Sequence, residues 1–377
     1  MYCVSWSKRP DRLSCLFIKS IQSSIIRANE YRILPKDYEV EVIRNPLQTN
    51  TNPTIEWNVS LQEKTNDFYS YTTVIGDMSY TSTLNETLYA IHTDSAEVIW
   101  SKEIGKNPTK PVISGHRLFV GSSEGLHFIH LGWLTQGINL IGPVSSNPVV
   151  DEQFVYVGTQ NKKVYCIHQD TGMIAWQQQF NAEPYLSNVD NNFLIVSADK
   201  SMYALDTSEG SIQWSISTDG LITTPAYQHQ GLVYAGSWDS QLYALDQLSG
   251  NITWNLQTGW GIQTTPVIEN ETLFVGSHDH NLYAVNKNTG EMLWVFSCKA
   301  AIHTNPIIWQ DSVLIGSDDG RLYRLDKQTG EPIWAFAPGN TIHQASRNYK
   351  TTAIRSTFDV NEGQVIIGVL GSLYSLR

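Results

Sequence analysis

Histidine, tryptophan and aspartate side chains recur at corresponding places in the second half of the chain. Neutral imidazoles bind divalent metal ions, and aromatic side chains dominate the energetics of protein interfaces. The candidate set is Trp238, Trp260, His278, His280, His303, Asp318, Asp319 and His343. This combination of aromatic and polar side chains is typical of a surface patch that binds a partner. A metal site formed by His278, His280, His303 and His343 is a weaker interpretation. The third interpretation is that these residues have no binding role, because turns simply tolerate polar side chains.

Catalytic signatures are missing from the sequence. It contains no Gly-x-Ser-x-Gly, no His-Glu-x-x-His and no glycine-rich phosphate loop ending in lysine. The pair His278-x-His280 is a weak metal signal without a third clustered ligand. Asp318 and Asp319 are adjacent, as at a solvated hairpin tip. We therefore predict no catalytic residues, with histidine and tyrosine acid–base chemistry of a propeller lyase or hydrolase as an open alternative.

A tryptophan repeat determines which elements must position these side chains. The repeat tryptophans are Trp57, Trp100, Trp176, Trp214, Trp254, Trp294 and Trp334. The last four stand 40 residues apart, and the last five each follow a glycine by four residues. One copy, near Ile138, has lost its tryptophan. A period of this size in a chain of short strands is typical of a propeller or a solenoid.

Each copy reads as four short antiparallel strands, A to D. Runs of β-branched and aromatic residues, as in 232–246, are separated by glycine, serine, aspartate and asparagine. One such meander cannot bury its apolar face, so the units stack around an axis as blades. Eight pairs of B and C strands predict an all-β, eight-bladed propeller of four-stranded antiparallel blades. It forms a single domain over residues 51–377.

The two ends of the repeat region complement each other. Residues 55–59 read as a D strand with no unit before it, whereas the last unit, 365–376, has no D strand. We expect the N-terminal strand to complete the C-terminal blade, which removes exposed sheet edges.

Turn residues recur with the repeat. Asp199, Asp239, Asp279 and Asp319 each lie four residues before a repeat tyrosine, where a short polar side chain closes the B-to-C turn. In such a blade the B-to-C turns and the D-to-A connections emerge on one face. All the candidate residues fall on that face in consecutive blades, so we expect them to share one sector near the channel mouth.

Charge and hydropathy exclude two classes of partner. The net charge is -11 and the 25 Lys and Arg are scattered, which argues against a nucleic-acid partner. No stretch is long and apolar enough for a membrane span. Residues 1–50 form an extension in which Leu13, Phe17, Ile21 and Ile25 predict a short basic amphipathic helix. A transit peptide, an ordinary docking helix and a mis-assigned start are the alternatives. No export signal is visible, which favours the cytoplasm.

The repeat phrase carries a family resemblance. Leu242-Tyr243-Ala244-Leu245-Asp246, followed by Gly250 and Trp254, resembles the PQQ-like repeat of the quinoprotein alcohol dehydrogenase-like propellers. The resemblance covers about residues 52–377. It implies that each tryptophan ties one blade to the next. By length and blade count the chain is similar to the family's non-catalytic BamB-type members, which serve in outer-membrane assembly.

The resemblance implies two functions. The first is a non-catalytic scaffold that binds a protein or peptide partner, as a monomeric propeller within a larger complex in the cell envelope or periplasm. The second is a quinone-dependent oxidoreductase, or a small-ligand sensor, that uses the central channel with PQQ and calcium. The family's alcohol dehydrogenases carry adjacent cysteines beneath the quinone, and this sequence has no such pair. We therefore predict the scaffold and no cofactor.

Overall fold

The computed structural model describes residues 42–43, 53–61, 70–84, 86–132, 136–139, 141–337, 357–361, 363–369 and 372–377. Every regular element among them is a β-strand. Two strands, β1 (Val42–Ile43) and β2 (Ile55–Ser60), precede the first repeat. The strands build eight sheets, which confirms the predicted eight-bladed all-β propeller.

The first four blades follow in chain order, each with its strands ordered A to D. Blade 1 contains β3 (Ser70–Ile75), β4 (Met78–Thr83), β5 (Thr87–His92) and β6 (Val98–Glu103); blade 2 contains β7 (Val112–Ser114), β8 (Arg117–Ser122), β9 (Gly125–His130) and β10 (Gln136–Asn139). Blade 3 contains β11 (Val149–Val150), β12 (Phe154–Gly158), β13 (Lys163–His168) and β14 (Ile174–Gln179); blade 4 contains β15 (Tyr185–Asp190), β16 (Phe193–Ala198), β17 (Ser201–Asp206) and β18 (Ile212–Ser217).

The last four blades repeat this order. Blade 5 contains β19 (Tyr227–His229), β20 (Leu232–Gly236), β21 (Gln241–Asp246) and β22 (Ile252–Gln257); blade 6 contains β23 (Val267–Glu269), β24 (Thr272–Gly276), β25 (Asn281–Asn286) and β26 (Met292–Ser297). Blade 7 contains β27 (Ile307–Trp309), β28 (Ser312–Gly316), β29 (Leu322–Asp326) and β30 (Pro332–Phe336); blade 8 contains β31 (Phe358–Val360), β32 (Val365–Val369) and β33 (Ser372–Leu376).

The core lies between neighbouring blades. Tyr234 and Leu242 of blade 5, for example, pack against Leu273 and Tyr283 of blade 6, and all four are fully buried. The A strands of successive blades, such as β15 and β19, contact each other, so they lie innermost. D strands such as β18 expose alternate residues. Because each blade buries both faces against its neighbours, the channel side, the outer edge formed by the D strands and the two turn-bearing faces are left for function.

The N-terminal strand closes the ring as predicted. β2 pairs antiparallel with β33, with Ile55 opposite Leu376 and Val59 opposite Leu373. The indole Nε1 of Trp57, on this strand, donates to the carbonyl of Thr93 in blade 1 at 2.6 Å. The closing strand therefore completes blade 8 and also joins it to blade 1.

The extension contributes one described strand. β1 pairs in parallel with β26 on the outer edge of blade 6, with Val42 opposite Val295. The amphipathic helix predicted over Leu13 to Ile25 lies outside the described residues.

Tryptophan docking between blades is confirmed at five interfaces. Each indole Nε1 donates to a main-chain carbonyl in the C-to-D turn of the next blade, at 2.6 to 3.3 Å. The pairs are Trp57 with Thr93, Trp176 with Thr207, Trp214 with Gln247, Trp254 with Lys287, and Trp294 with Lys327. The turn glycine beside each of the last four carbonyls has a positive φ, and the indole lies directly over it.

Candidate functional site

Two repeat positions meet on the face that carries the B-to-C turns and the D-to-A connections. The first position directly follows the buried isoleucine of each connection, namely Ile222, Ile262 and Ile302. The second opens each B-to-C turn. In blades 5, 6 and 7 these positions hold Thr223 and Trp238, Gln263 and His278, and His303 and Asp318. We call these six residues the three-blade cluster.

Main-chain hydrogen bonds fix both positions. The amide of His278 donates to the carbonyl of Gly261 at 3.0 Å, and the amide of Ile262 donates to the carbonyl of Ser237 at 3.0 Å. The connection from blade 5 to blade 6 is thereby bonded to the B-to-C turns of both blades that it joins. A rigid backbone of this kind holds side chains in fixed positions without cost at the moment of binding.

Within each blade the two side chains are hydrogen-bonded. Trp238 Nε1 donates to Thr223 Oγ1 at 3.1 Å, and His278 Nε2 lies 2.5 Å from Gln263 Oε1. In blade 7, His303 Nε2 lies 3.1 Å from Asp318 Oδ2. Each blade therefore contributes one bonded pair to the same face.

Contacts between blades join the pairs into one array. The rings of Trp238 and His278 meet edge to face with centroids 4.8 Å apart, and those of His278 and His303 meet likewise at 4.3 Å. Gln263 Nε2 donates to Thr223 Oγ1 at 3.2 Å. Edge-to-face geometry is the favoured arrangement of aromatic rings. The three-blade cluster is therefore a continuous strip of polar and aromatic groups across blades 5 to 7.

The strip remains accessible. The side chains of His303 and Asp318 are 22% and 16% exposed, and Trp238, Gln263 and His278 are also part-buried. Partly desolvated aromatic and hydrogen-bonding groups are typical of binding surfaces.

The adjacent acids Asp318 and Asp319 have different surroundings. Asp319 Oδ2 accepts from the hydroxyl of Tyr323 at 2.5 Å, and its Oδ1 accepts from the amide of Arg321 at 3.1 Å. Asp239 and Asp279 bond to Tyr243 and Tyr283 in the same way. The turn-closing role predicted for these three aspartates is confirmed, and the tyrosine bond is an addition that the sequence did not predict. Asp319 therefore supports the fold, whereas Asp318 belongs to the strip.

Burial of these tyrosines has an electrostatic consequence. Tyr283 is fully buried, and desolvation, followed by the charge of Asp279, raises the pKa of its hydroxyl far above the usual range. The same carboxylate accepts from the amide of Gly259 at 2.6 Å. The hydroxyl stays protonated and donates, so this clamp fixes the B-to-C turn to the preceding connection.

The remaining candidate residues are not members of the strip. Trp260 is 47% exposed on the connection into blade 6. His280 is exposed at a positive φ of 77°, in the turn position that Ser240 and Gly320 fill in the neighbouring blades. His343 lies outside the described residues, although Ile342-His343 repeats the order of Ile302-His303 in the sequence.

Sequence reasoning missed Thr223 and Gln263. Their types carry no chemical signal, but both stand at the repeat position of His303, directly after the buried isoleucine. Alignment of the connections on that isoleucine would have identified them. Among the described residues, no group of three or more His, Cys, Asp or Glu is arranged to hold a metal ion. Within the same part of the chain, no helix has the length and apolar character that crossing a membrane requires.

Comparison with known proteins now identifies the family. The family model described as "Outer membrane protein assembly factor BamB" matches residues 132–335 and 238–368, which together exceed half of the chain. The chain belongs to this BamB family of PQQ-like propellers. A curated relative, the outer membrane protein assembly factor BamB of Yersinia pestis, is 23% identical over 189 residues, which cover 49% of this chain and 41% of the relative. The match thus spans less than half of that relative's length.

Solved structures share the fold. BamB from Moraxella catarrhalis superposes with a TM-score of 0.66 at 16% identity, covering 86% of this chain and 100% of that one. The computationally designed Ika8 protein superposes with a TM-score of 0.72 at 14% identity, covering 84% of this chain and 98% of that one. At such identities the likeness concerns the architecture, and function must be argued from the site.

Proposed function

We propose that this chain is a non-catalytic scaffold that binds a protein or peptide partner on the face that carries the three-blade cluster. The observation that carries the proposal is the continuous bonded strip from Trp238 through His278 and His303 to Asp318. Membership of the BamB family suggests that the partner belongs to outer-membrane assembly in the cell envelope.

The chemistry of the strip suits recognition. His278 and His303 are bonded to Gln263 and Asp318 in the resting protein, so they are positioned and part-desolvated before a partner arrives. Preorganised groups lose less conformational entropy on binding. The strip thus supplies both aromatic surface and hydrogen-bonding groups.

Exposed apolar side chains flank the strip. Trp260 is 47% and Leu221 is 42% exposed, and both lie on D-to-A connections next to Trp238. The amide of Trp238 donates to the carbonyl of Leu221 at 2.9 Å. A tryptophan surrounded by weaker contacts is the usual composition of an interface hot spot. We assign Trp260 the role of anchor and the strip that of its polar surround.

The residues present do not fit a quinone site of the kind found in the family's dehydrogenases. Cys166 and Cys298, the cysteines among the described residues, are buried in blades 3 and 6 and are far apart in the sequence. Burial raises the pKa of the Cys166 thiol to about 12. We therefore propose that the scaffold acts without a cofactor, and we expect PQQ with Ca²⁺ to produce neither a thermal shift nor dye reduction with an alcohol or a sugar.

Affinity capture from a solubilised envelope fraction of the source organism tests the proposal. Trp260→Ala and Trp238→Ala should each reduce partner recovery at least tenfold, whereas Leu248→Ala should leave it unchanged. Leu248 is a matched control, because it is 72% exposed but lies on the C-to-D turn of blade 5, on the opposite face. Unchanged recovery with both tryptophan variants would remove this face from consideration.

A further inference from the structure

The described part of strand D in blade 2 carries no tryptophan at the position that fills the other described interfaces. In blades 3 to 6 the repeat tryptophan of strand D stands opposite a small residue of strand C, as Trp254 does opposite Ala244. In blade 2 the two sizes are exchanged, since Gly137 of β10 stands opposite Phe128 of β9. A β-carbon added at Gly137 would lie 2.1 Å from the Phe128 ring. The large aromatic ring is thus on strand C in blade 2, whereas it is on strand D in blades 3 to 6.

The turn that receives an indole elsewhere is nevertheless preserved in blade 3. The amide of Gly172 donates to the carbonyl of His168 at 2.9 Å, as Gly250 does to Asp246 at 2.8 Å, and Gly172 has a φ of +68°. The Phe128 ring reaches this turn, 3.3 Å from the β-carbon position of Gly172. A phenyl ring has no N–H group to donate. The carbonyl of Gln169 is the counterpart of the carbonyls that accept indole N–H groups in the following blades.

A groove opens at this interface on the face opposite the three-blade cluster. Its volume is about 570 Å³, within the usual range of ligand sites. The equivalent groove between blades 6 and 7, which Trp294 lines, measures about 310 Å³. We call the larger one the interblade groove. Its lining includes His116, Arg117, His130, His168, Gln169 and Asp170.

The walls of the interblade groove combine flat rings with hydrogen-bonding groups. The imidazoles of His116 and His130 stack with centroids 6.4 Å apart. His168 packs on Phe154 with centroids 4.6 Å apart. Arg117 of blade 2 pairs with Asp170 of blade 3, so that the two blades remain tied across the groove. Such walls suit a planar aromatic group with one polar edge better than they suit an aliphatic or a highly charged ligand.

We propose that the interblade groove binds a tryptophan side chain presented by a partner polypeptide, whose indole N–H donates to the carbonyl of Gln169. The protein binds its own indoles in this way at five other interfaces, with Nε1 to carbonyl distances of 2.6 to 3.3 Å. Because the Phe128 ring already covers Gly172, the partner's indole would enter from the open side of the groove and meet the turn at Gln169, which lines the groove. This site is independent of the proposed function, because it lies on the opposite face.

An NMR titration with N-acetyl-tryptophanamide tests the proposal on the full chain. Saturable shifts are expected in the imidazole signals of His116, His130 and His168, assigned by single substitution. The benzothiophene analogue of the probe has the same shape but no N–H group, so it should bind at least tenfold more weakly. Equal affinity for the two probes, or no shift in these signals, would overturn the assignment.

Two variants distinguish the occupants. Phe128→Ala combined with Gly137→Trp restores the pattern of the other blades and supplies an internal indole, so probe binding should fall at least tenfold while the thermal unfolding curve stays cooperative. If that folded variant binds as well as the wild type, the groove is not the site. Trp133 is outside the described residues, and its substitution tests whether the chain itself fills the groove. Tenfold tighter binding by Trp133→Phe would show that the chain fills its own groove, and the proposal would fail.

Discussion

The indole of Trp214 in blade 4 lies directly on Gly250 of blade 5, so closely that a β-carbon on Gly250 would come within 2.7 Å of it. In the sequence, Gly250 is associated with Trp254, which follows it by four residues. In the fold it serves the tryptophan of the preceding copy, whose N–H donates to Gln247 of the same turn. The repeat motif is therefore split between two blades.

Gly250→Ala should separate the packing contribution from backbone strain. An alanine would carry the strain of a φ of +71° and also overlap the indole, which together cost about 3 kcal/mol. Gly231→Ala is the control, because its φ is +79° but nothing lies within 4 Å of the added carbon. It should cost about 1 kcal/mol. Urea unfolding measures both, and equal losses would argue against the packing role.

Substitution of Trp57 should show how strongly the closing strand joins the ring. Trp57→Ala removes an indole that packs on Leu61 and Ile91, and should lower the free energy of unfolding by about 3 kcal/mol. Trp57→Phe keeps a ring but loses the bond to Thr93, at about 1 kcal/mol. Ile55→Ala, on the same strand but 48% exposed, is expected to change little. Chemical denaturation measures the free energy of unfolding of each variant. A large loss for Ile55→Ala, or no loss for Trp57→Ala, would contradict this role of the closing strand.

Substitution of the two adjacent acids should lower stability by different amounts. Asp319→Ala leaves the hydroxyl of the buried Tyr323 without its acceptor, so it should cost about 2 kcal/mol of stability. Asp318→Ala breaks a part-exposed contact with His303 and should cost less than about 1 kcal/mol. Thermal unfolding would rank the two variants, and the reverse order would show that the roles have been exchanged.

His127 should make stability depend on pH. It is 2% exposed in strand C of blade 2, with Nε2 2.8 Å from Ser122 Oγ. Burial lowers the pKa of His127 below its usual 6.5. Between the lowered value and 6.5 the unfolded chain binds more protons than the folded one, so stability is present above pH 6.5 and is lost as the pH falls. His127→Gln should show a smaller loss of unfolding free energy from pH 7 to pH 5, and a larger loss would contradict the assignment.

The architecture was predictable from the amino-acid sequence alone. Three features of the sequence are local: the interval between tryptophans, the turn aspartates, and a D strand at 55–59 that has no repeat unit before it. Turns at a fixed period leave few ways to bury the apolar face of each meander. These features sufficed to predict eight blades and the pairing of β2 with β33, and both are confirmed. The general sector of the candidate site followed from the same argument, because loops of consecutive blades must be neighbours.

Which side chains come into contact depends on how the blades pack against one another, and the sequence did not predict it. Successive residues of a turn point in different directions, and the direction of each depends on the local backbone dihedral angles. Asp318 and Asp319 are therefore indistinguishable by residue type, but Asp318 contacts His303 whereas Asp319 bonds to Tyr323. Gln263 belongs to the three-blade cluster because main-chain hydrogen bonds hold its connection beside the turn that carries His278. The sequence likewise did not predict that Phe128 of strand C stands opposite Gly137 of strand D, with the large and the small residue in the reverse of their usual positions. Contacts between blades depend on the shared packing of both sheets, and no period within one copy encodes that packing.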